Sequence, residues 1–119
     1  MKYLCLVYYD ETAMGALSAE DWAALNRECI DCGDSLRASG HMLDGAPLEP
    51  THTATTLRIR NGKLSVTDGP FAETKEQLAG FYMLEARDLN EAIQLASKIP
   101  LARYGSIEVR PVRDLDVFR

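Results

Sequence analysis

Two segments of this sequence predict β-strands that are apolar on both faces. Successive side chains of a strand point to opposite sides of its sheet, so residues 2–9 present two separate apolar sets. One set is Tyr3, Cys5, Val7 and Tyr9, and the other is Leu4, Leu6 and Tyr8. The segment Gly80 to Ala86 has the same character. Such strands indicate a sheet that is covered on both faces.

Two further segments have the spacing of amphipathic helices. The first begins at Ser18, whose side chain can cap free backbone N–H groups, and ends near Ser39-Gly40. Its apolar stripe is Trp22, Leu25, Cys29, Cys32 and Leu36. The second begins at Asp88 with the spacing of a capping box and is stopped by Pro100. Its predicted stripe is Leu89, Ala92, Ile93, Ala96 and Ile99.

Between the two-faced strands the sequence predicts a β-hairpin. Thr53 to Arg60 and Lys63 to Thr67 flank Asn61-Gly62, the residue pair that best tolerates the positive φ angles of a tight turn. Its expected buried face consists of Leu57, Ile59, Leu64 and Val66. Residues 41–48 predict a short irregular strand before the hairpin. Ser106 to Val112 predicts a last strand with one polar face.

The order of these elements, β-α-β-(ββ)-β-α-β, indicates an α+β fold. Two helices are enough to cover one face of an antiparallel sheet in a ferredoxin-like arrangement, with the hairpin as an insertion. The second face stays bare in one chain, and an apolar patch of that size normally marks an interface. We therefore expect a homodimer whose sheets pack face to face. No repeat or linker divides the sequence, which predicts a single domain over residues 1–119.

Charge and composition limit the classes of partner that this chain can bind. The net charge of −5 argues against nucleic acid, and no apolar run is long enough to cross a membrane. The opening segment has no small-residue cleavage site and runs directly into Asp10-Glu11, which favours a strand over a signal peptide. With three cysteines and no export signal, the expected location is the reducing cytoplasm.

The pair Cys29 and Cys32 has the spacing of a redox or zinc motif. It lies well inside the first predicted helix, away from the N-terminal dipole that lowers a thiol pKa. No second cysteine pair completes a zinc site. We interpret both as packed, reduced thiols and expect no metal and no cofactor.

The segment from Asp68 to Gln77 carries the densest group of ionisable side chains. Gly69 and Pro70 restrict the turn, and Phe71 is expected to anchor it in the core. We consider Asp68 a general acid or base, Glu73 its partner, and Lys75 or Arg110 the anchor for a developing negative charge. A rigid loop with solvated charges remains the alternative.

The run from Asp68 to Glu76, Asp-Gly-Pro-Phe-Ala-Glu-Thr-Lys-Glu, followed by Gly80-Phe81-Tyr82, closely resembles the signature of DGPF-domain proteins, a branch of the YCII-related family. The resemblance extends over essentially the whole chain and implies a ferredoxin-like fold of the dimeric α+β barrel type. YCII relatives carry a His and Asp pair proposed as an active site. By resemblance, Asp68 is the candidate acid, while His41 and His52 remain alternative partners.

These observations lead to two hypotheses about function. The first is a homodimer that binds a small polar molecule in a cleft between helix, sheet and loop, with His41 and Arg110 as substrate-binding residues and acid–base chemistry that needs no cofactor. The second is a non-enzymatic regulatory or scaffolding module. Some DGPF-type proteins are associated with sigma factors, so the resemblance keeps a regulatory protein partner open.

Overall fold

A four-stranded antiparallel sheet forms the centre of the computed structural model, which describes residues 1–119. The strands are β1 (Lys2–Tyr9), β2 (Met42–Pro47), β3 (Thr55–Arg60), β4 (Lys63–Asp68), β5 (Gln77–Glu85) and β6 (Ser106–Pro111). The helices are α1 (Glu11–Gly15), α2 (Ala19–Ala38) and α3 (Leu89–Ala96), with 3₁₀ turns at Thr51–Thr53, Pro100–Arg103 and Asp116–Phe118. None of the helices is both long and apolar enough to span a membrane.

The strand order in the sheet is β2-β5-β1-β6, and β3 pairs with β4 in a separate hairpin. The predicted two-faced strands are therefore the two central ones, and β2 and β6 are the edges. All neighbouring strands of the sheet are antiparallel. This order confirms the predicted ferredoxin-like α+β fold with an inserted hairpin.

The two long helices begin where the sequence predicts. The Ser18 hydroxyl accepts a hydrogen bond from the Asp21 N–H at 3.1 Å, and the Asp88 carboxylate accepts one from the Glu91 N–H at 2.9 Å. Gly40, with a φ of 79°, follows the end of α2 in the left-handed conformation. The short helix α1 was not predicted, although Asp10 caps it in the same way by accepting from the Thr12 N–H at 2.9 Å.

Both long helices pack on one face of the sheet and form the core with it. The core cluster consists of Tyr3, Cys5, Leu36, Leu84, Ala86, Ala92, Leu95, Ala96 and Ile99. The predicted stripe of α3 is partly wrong, because Leu89 and Ile93 are half exposed and Leu95 is buried instead. The small side chains of Ala92 and Ala96 face the sheet, and this orientation turns residues 89 and 93 toward the flank of the helix.

No helix packs against the other face of the sheet, which we call the open face. Leu4 lies opposite Met83 of β5, and Leu6 lies opposite Phe81 of β5 and Glu108 of β6. These apolar side chains are half-buried because they contact only their neighbours on the sheet. The face-to-face packing of two sheets stays a prediction.

The hairpin formed by β3 and β4 stands apart from the sheet. Asn61 and Gly62 adopt φ angles of 53° and 74°, as the predicted tight turn requires. Its apolar residues share one face, but they are 60% to 67% exposed. The predicted burial of that face is therefore wrong for a single chain, because both strands pair only with each other.

The close approach of the chain at Gly105 generates a prediction about stability. A Cβ atom at residue 105 would collide with the backbone oxygen of Tyr8 and lie 2.9 Å from its carbonyl carbon, whereas nothing lies within 4 Å of a Cβ at Gly15. We expect Gly105→Ala to lower the free energy of unfolding by about 2 kcal/mol or more, because backbone must move. Gly15→Ala should change it by less than about 1 kcal/mol. Urea unfolding that gives equal midpoints for the two variants would contradict this account.

Candidate functional site

A cleft of about 430 Å³ lies between α2 and the edge of the sheet formed by β2 and β5, and we call it the α2 cleft. From α2 it is lined by Trp22, Leu25 and Cys29, which belong to the apolar stripe predicted for this helix. Gly33 and Gly45 also line it, and a Cβ atom at residue 45 would lie 2.9 Å from the Phe81 backbone oxygen, so glycine there lets β2 pack closely against β5. Because 13 of its 20 lining residues are hydrophobic, the cleft suits a ligand with an apolar body.

Two tyrosine hydroxyls line the α2 cleft, those of Tyr82 and Tyr9. Neither hydroxyl forms a hydrogen bond within the chain, and no buried side-chain polar atom lacks a partner, so both hydroxyls are open to solvent and can bind a ligand. Burial raises the pKa of Tyr82 to about 12, with smaller contributions from Cys29 and Cys32, while Arg37 lowers it. Burial also raises the pKa of Tyr9, as does the Glu11 carboxylate. Tyr82 is therefore a protonated hydrogen-bond donor at neutral pH.

Charged groups lie on the α2 side of the same cleft. Arg37 and Asp34 line it and form an ion pair with 3.9 Å between their Nη1 and Oδ1 atoms. Both side chains are more than half exposed, so the pair contributes little to stability. The guanidinium is available to a negatively charged group on a ligand.

The thiols of α2 are packed as the sequence predicts. Burial raises the pKa of Cys29, as do Cys32 and Glu28 to a smaller extent, while Arg103 lowers it. The Cys32 thiol has a pKa raised by burial and donates to the Lys98 carbonyl with an S···O distance of 3.5 Å. Both groups are therefore protonated near neutral pH. The chain has no group of three or more His, Cys, Asp or Glu side chains that could hold a metal ion.

A second cavity of about 410 Å³ adjoins the α2 cleft near α1 and shares Tyr9, Trp22, Leu48 and Ala79 with it. Glu11 lines this second cavity, and its carboxylate accepts a hydrogen bond from the Thr51 N–H. Trp22 is the only tryptophan of the chain. Its position between the two cavities makes it an intrinsic probe of their occupancy.

The predicted acid–base residues lie outside both cavities. Asp68 ends β4, and Glu73 and Lys75 lie on the exposed loop between β4 and β5. The base of this loop is tied down, since the Gly69 N–H donates to the Ala54 carbonyl at 2.7 Å. Phe71, however, is 79% exposed, so its predicted anchoring in the core is wrong. In a single chain no element packs over it.

His41 lies at the other end of the sheet from Asp68. Its Nδ1 atom is 3.0 Å from the Glu85 carbonyl oxygen, so it links the start of β2 to the end of β5. The Glu11 N–H donates to the Gln77 side chain at the start of β5, and the Glu11 carboxylate accepts from the Thr51 N–H, so the base of the hairpin lies near that end of a strand of roughly 26 Å. His41 and Asp68 of one chain are therefore too far apart to form a pair.

His52 and Arg110 lie apart from the α2 cleft and from each other. His52 is exposed in the turn Thr51–Thr53, at the same end of the molecule as Asp68, because Asp68 pairs with Thr55. It forms no hydrogen bond to that carboxylate. The Arg110 Nε atom donates to the Glu108 carboxylate at 3.0 Å on β6, next to the open face. Within one chain, the five site residues expected from the sequence thus do not meet in one cleft.

The sequence did not point to the side chains that bring polar groups into the α2 cleft, such as Tyr82. The sequence places Tyr82 in a two-faced apolar strand and in the resemblance to DGPF-domain proteins, and Trp22 in a helix stripe, but it assigns neither side chain a ligand-binding role. A signal was present, because a tyrosine on the helix-facing side of a central strand needs a partner for its hydroxyl. The sequence does not show that this partner is missing.

A family model for the YCII-related domain matches residues 1–116. The chain belongs to the YCII-related family. An uncharacterised protein from Rhizobium meliloti (strain 1021) is 40% identical over 114 residues, which cover 94% of this chain and 92% of that protein.

Among solved structures, the chain is similar to 5-chloro-2-hydroxyhydroquinone dehydrochlorinase from Burkholderia phenoliruptrix in complex with 2,5-dihydroxybenzoquinone. The TM-score is 0.54 with 15% sequence identity, and the match covers 98% of each chain. At this identity the likeness shows the fold, in agreement with the ferredoxin-like arrangement of the YCII-related chain.

The raised pKa of Tyr82 predicts a specific effect on stability at alkaline pH. An unfolded tyrosine ionises near pH 10, whereas folded Tyr82 keeps its proton up to about pH 12. The folded state then binds more protons than the unfolded state, so stability falls as pH rises through this window. We expect Tyr82→Phe to flatten that fall. The measurement is urea unfolding at several pH values from about 9.5 to 11.

The matched control is Tyr104→Phe, which removes a hydroxyl outside the cleft and should keep the wild-type slope. Equal slopes for Tyr82→Phe and the wild type would contradict the burial of this phenol.

Proposed function

We propose that this protein is a homodimer that binds a small organic molecule with a ring in the α2 cleft. One observation carries the proposal: an apolar cleft of about 430 Å³ is lined by Tyr82, whose hydroxyl is open to solvent and makes no hydrogen bond within the chain. Such a hydroxyl can exchange its water for a ligand oxygen when a ligand fills the cleft.

The lining of the cleft defines the chemistry of this ligand. Its apolar walls favour a largely apolar body over the small polar molecule expected from the sequence. Tyr82 and Tyr9 can donate to hydroxyl or keto oxygens on the ring, and Arg37 can pair with a negative charge. The structural relative holds 2,5-dihydroxybenzoquinone, a ring with oxygen substituents, which supports this ligand class.

The protonation of Tyr82 limits the chemistry in which it can take part. A phenol whose pKa is about 12 donates a hydrogen bond to developing negative charge on a ligand oxygen and does not act as a base at neutral pH. In an enzymatic version of the proposal a base is needed from elsewhere. Asp68, assisted by Glu73 and Lys75, is our candidate, with His52 as the nearer histidine. This role requires a ligand or a second chain beside the loop.

The dimer is supported by the area that one chain exposes. Its accessible surface is 8,555 Å², whereas a compact monomer of 13.2 kDa exposes roughly 6,400 Å². The difference, about 2,100 Å², lies in the range that one chain of an obligate homodimer buries, on the order of 1,000 to 2,500 Å². The open face of the sheet is the first surface we assign to this interface, with Arg110 and Glu108 near its border.

Sedimentation equilibrium at micromolar concentration tests the dimer. We expect the wild type to sediment with twice the mass of one chain, and Leu6→Gln on the open face to weaken association by at least about tenfold. Glu20→Gln on α2 is the control and should leave association unchanged. A wild-type chain that sediments as a monomer would disprove the homodimer.

A regulatory or scaffolding role is the second candidate, with the cytoplasm as the proposed location of both. It is supported by apolar side chains near the C-terminus, since Val117 and Phe118 are 74% and 78% exposed. A protein partner that binds this terminus while the α2 cleft binds no small molecule would favour this role over ligand binding.

The fluorescence of Trp22 tests ligand binding directly. We expect 2,5-dihydroxybenzoquinone or catechol to change this fluorescence in a saturable way, with isothermal titration calorimetry as an independent measurement. Tyr82→Phe should weaken binding by on the order of tenfold, because one hydrogen bond to a ligand oxygen is lost. Tyr104→Phe should bind as the wild type does.

Asp68→Asn in the same titration distinguishes a role of the loop in chemistry from a role of the cleft in binding. If Asp68 acts only in chemistry, binding is unchanged and any turnover is lost. If Tyr82→Phe binds with unchanged affinity, or if neither compound binds, the α2 cleft is not the ligand-binding site.

A further inference from the structure

The apolar side of the hairpin has no cover in a single chain. We call this surface the arm face, which consists of Leu57, Ile59, Leu64 and Val66. We infer that the β3–β4 hairpin is an arm that packs the arm face against a second copy of this chain. This inference rests on the proposed homodimer and adds a second surface to its interface.

The register of the hairpin makes the arm face continuous. Leu57 pairs with Val66, and Ile59 pairs with Leu64, so the four side chains form two adjacent cross-strand pairs. The opposite side is polar, because Arg58 pairs with Ser65 and flanking positions are Thr, Lys or Arg. Apolar and polar residues therefore alternate along the hairpin, as they do in a strand pair with one face packed against a protein surface.

The arm face is unusually exposed for a continuous group of apolar side chains on one side of a strand pair. Each of the four is 60% to 67% exposed, whereas the apolar side chains of the open face are half-buried by their own neighbours. An isolated two-stranded hairpin is only marginally stable in water. Folding of the hairpin therefore needs a surface that covers these residues.

The rest of the same chain does not reach the arm face. The base of the hairpin is fixed, because the Thr56 hydroxyl donates to the Gly69 carbonyl at 2.8 Å and the Gly69 N–H donates to Ala54. The molecule extends over 48 × 47 × 19 Å with a radius of gyration of 16.4 Å, compared with about 13.5 Å for a compact chain of this length. The hairpin thus contributes to a wide, thin shape with its apolar side uncovered.

Charge favours a second copy as the occupant. Residues 55–67 include Arg58, Arg60 and Lys63 and no acidic residue, which gives the arm a charge of +3. Since the whole chain carries −5, the remainder carries −5 − 3 = −8. The three cations lie on the side of the hairpin opposite the arm face, so the apolar pairs make the contact. The cationic arm as a whole is attracted to an acidic body, and each chain of a homodimer supplies both.

Sedimentation of arm variants of the full chain tests this inference. We expect Ile59→Ser combined with Leu64→Ser to weaken the wild-type dimer by at least about tenfold, because two apolar anchors are removed from the interface. The matched control changes the opposite side of the hairpin at one cross-strand pair. Arg58→Lys combined with Ser65→Gln keeps the charge and should leave the dimer affinity within about threefold.

Limited proteolysis provides a second measurement that depends on contact. Trypsin cleaves after Arg60 and Lys63 at the tip of the arm, so cleavage should slow as protein concentration rises and the dimer forms. In the Ile59→Ser, Leu64→Ser variant, cleavage should be fast at every concentration. Far-UV circular dichroism checks that the sheet and helices persist, and Leu57→Ser is the milder variant if they do not.

The possible outcomes distinguish the proposal that the hairpin is an arm from the proposal that the protein is a homodimer. A wild type that dimerises together with an arm variant that dimerises equally well would overturn the arm and leave the homodimer through the open face. Tryptic cleavage of the tip that is equally fast in monomer and dimer would also overturn it. A wild type that is monomeric at micromolar concentration overturns both proposals.

Discussion

The pairing of β1 with β5 determines where almost every other part of the molecule lies. In this register Cys5 lies opposite Tyr82 and Leu6 lies opposite Phe81. The first pair faces the helices and the second faces away from them. A slip of one residue would exchange the two faces and move Tyr82 out of the α2 cleft. The buried packing of Cys5 and Leu84 under both helices opposes such a slip.

The α2 cleft is a consequence of this arrangement. The register places Tyr82 on the side of the sheet that faces α2, and Gly45 lets β2 pair closely with β5 beside it. Burial then keeps the phenol protonated, while Arg37 supplies a positive charge nearby. The site therefore combines an apolar wall with a few polar groups, which is the usual composition of a pocket for a small organic molecule.

The same sheet explains why one chain is an incomplete unit. Two helices cover only one face, and the inserted hairpin joins neither edge of the sheet. The open face and the arm face are both apolar and both lack a cover. A second copy supplies surface for both at once, and the opposite charges of arm and body favour that choice of partner.

Local periodicity and backbone preference are enough to predict the two-faced strands, the two long helices with their caps at Ser18 and Asp88, and the tight turn at Asn61-Gly62, although not the short helix α1. The sequence also indicated the fold, since the number and order of elements leave few arrangements. The separation of His41 from Asp68, which ends the hairpin strand β4, and the exposure of Leu57 and its neighbours follow from the tertiary structure alone. Such relations depend on strand register and on which surfaces meet across long stretches of chain, and local periodicity carries no information about either.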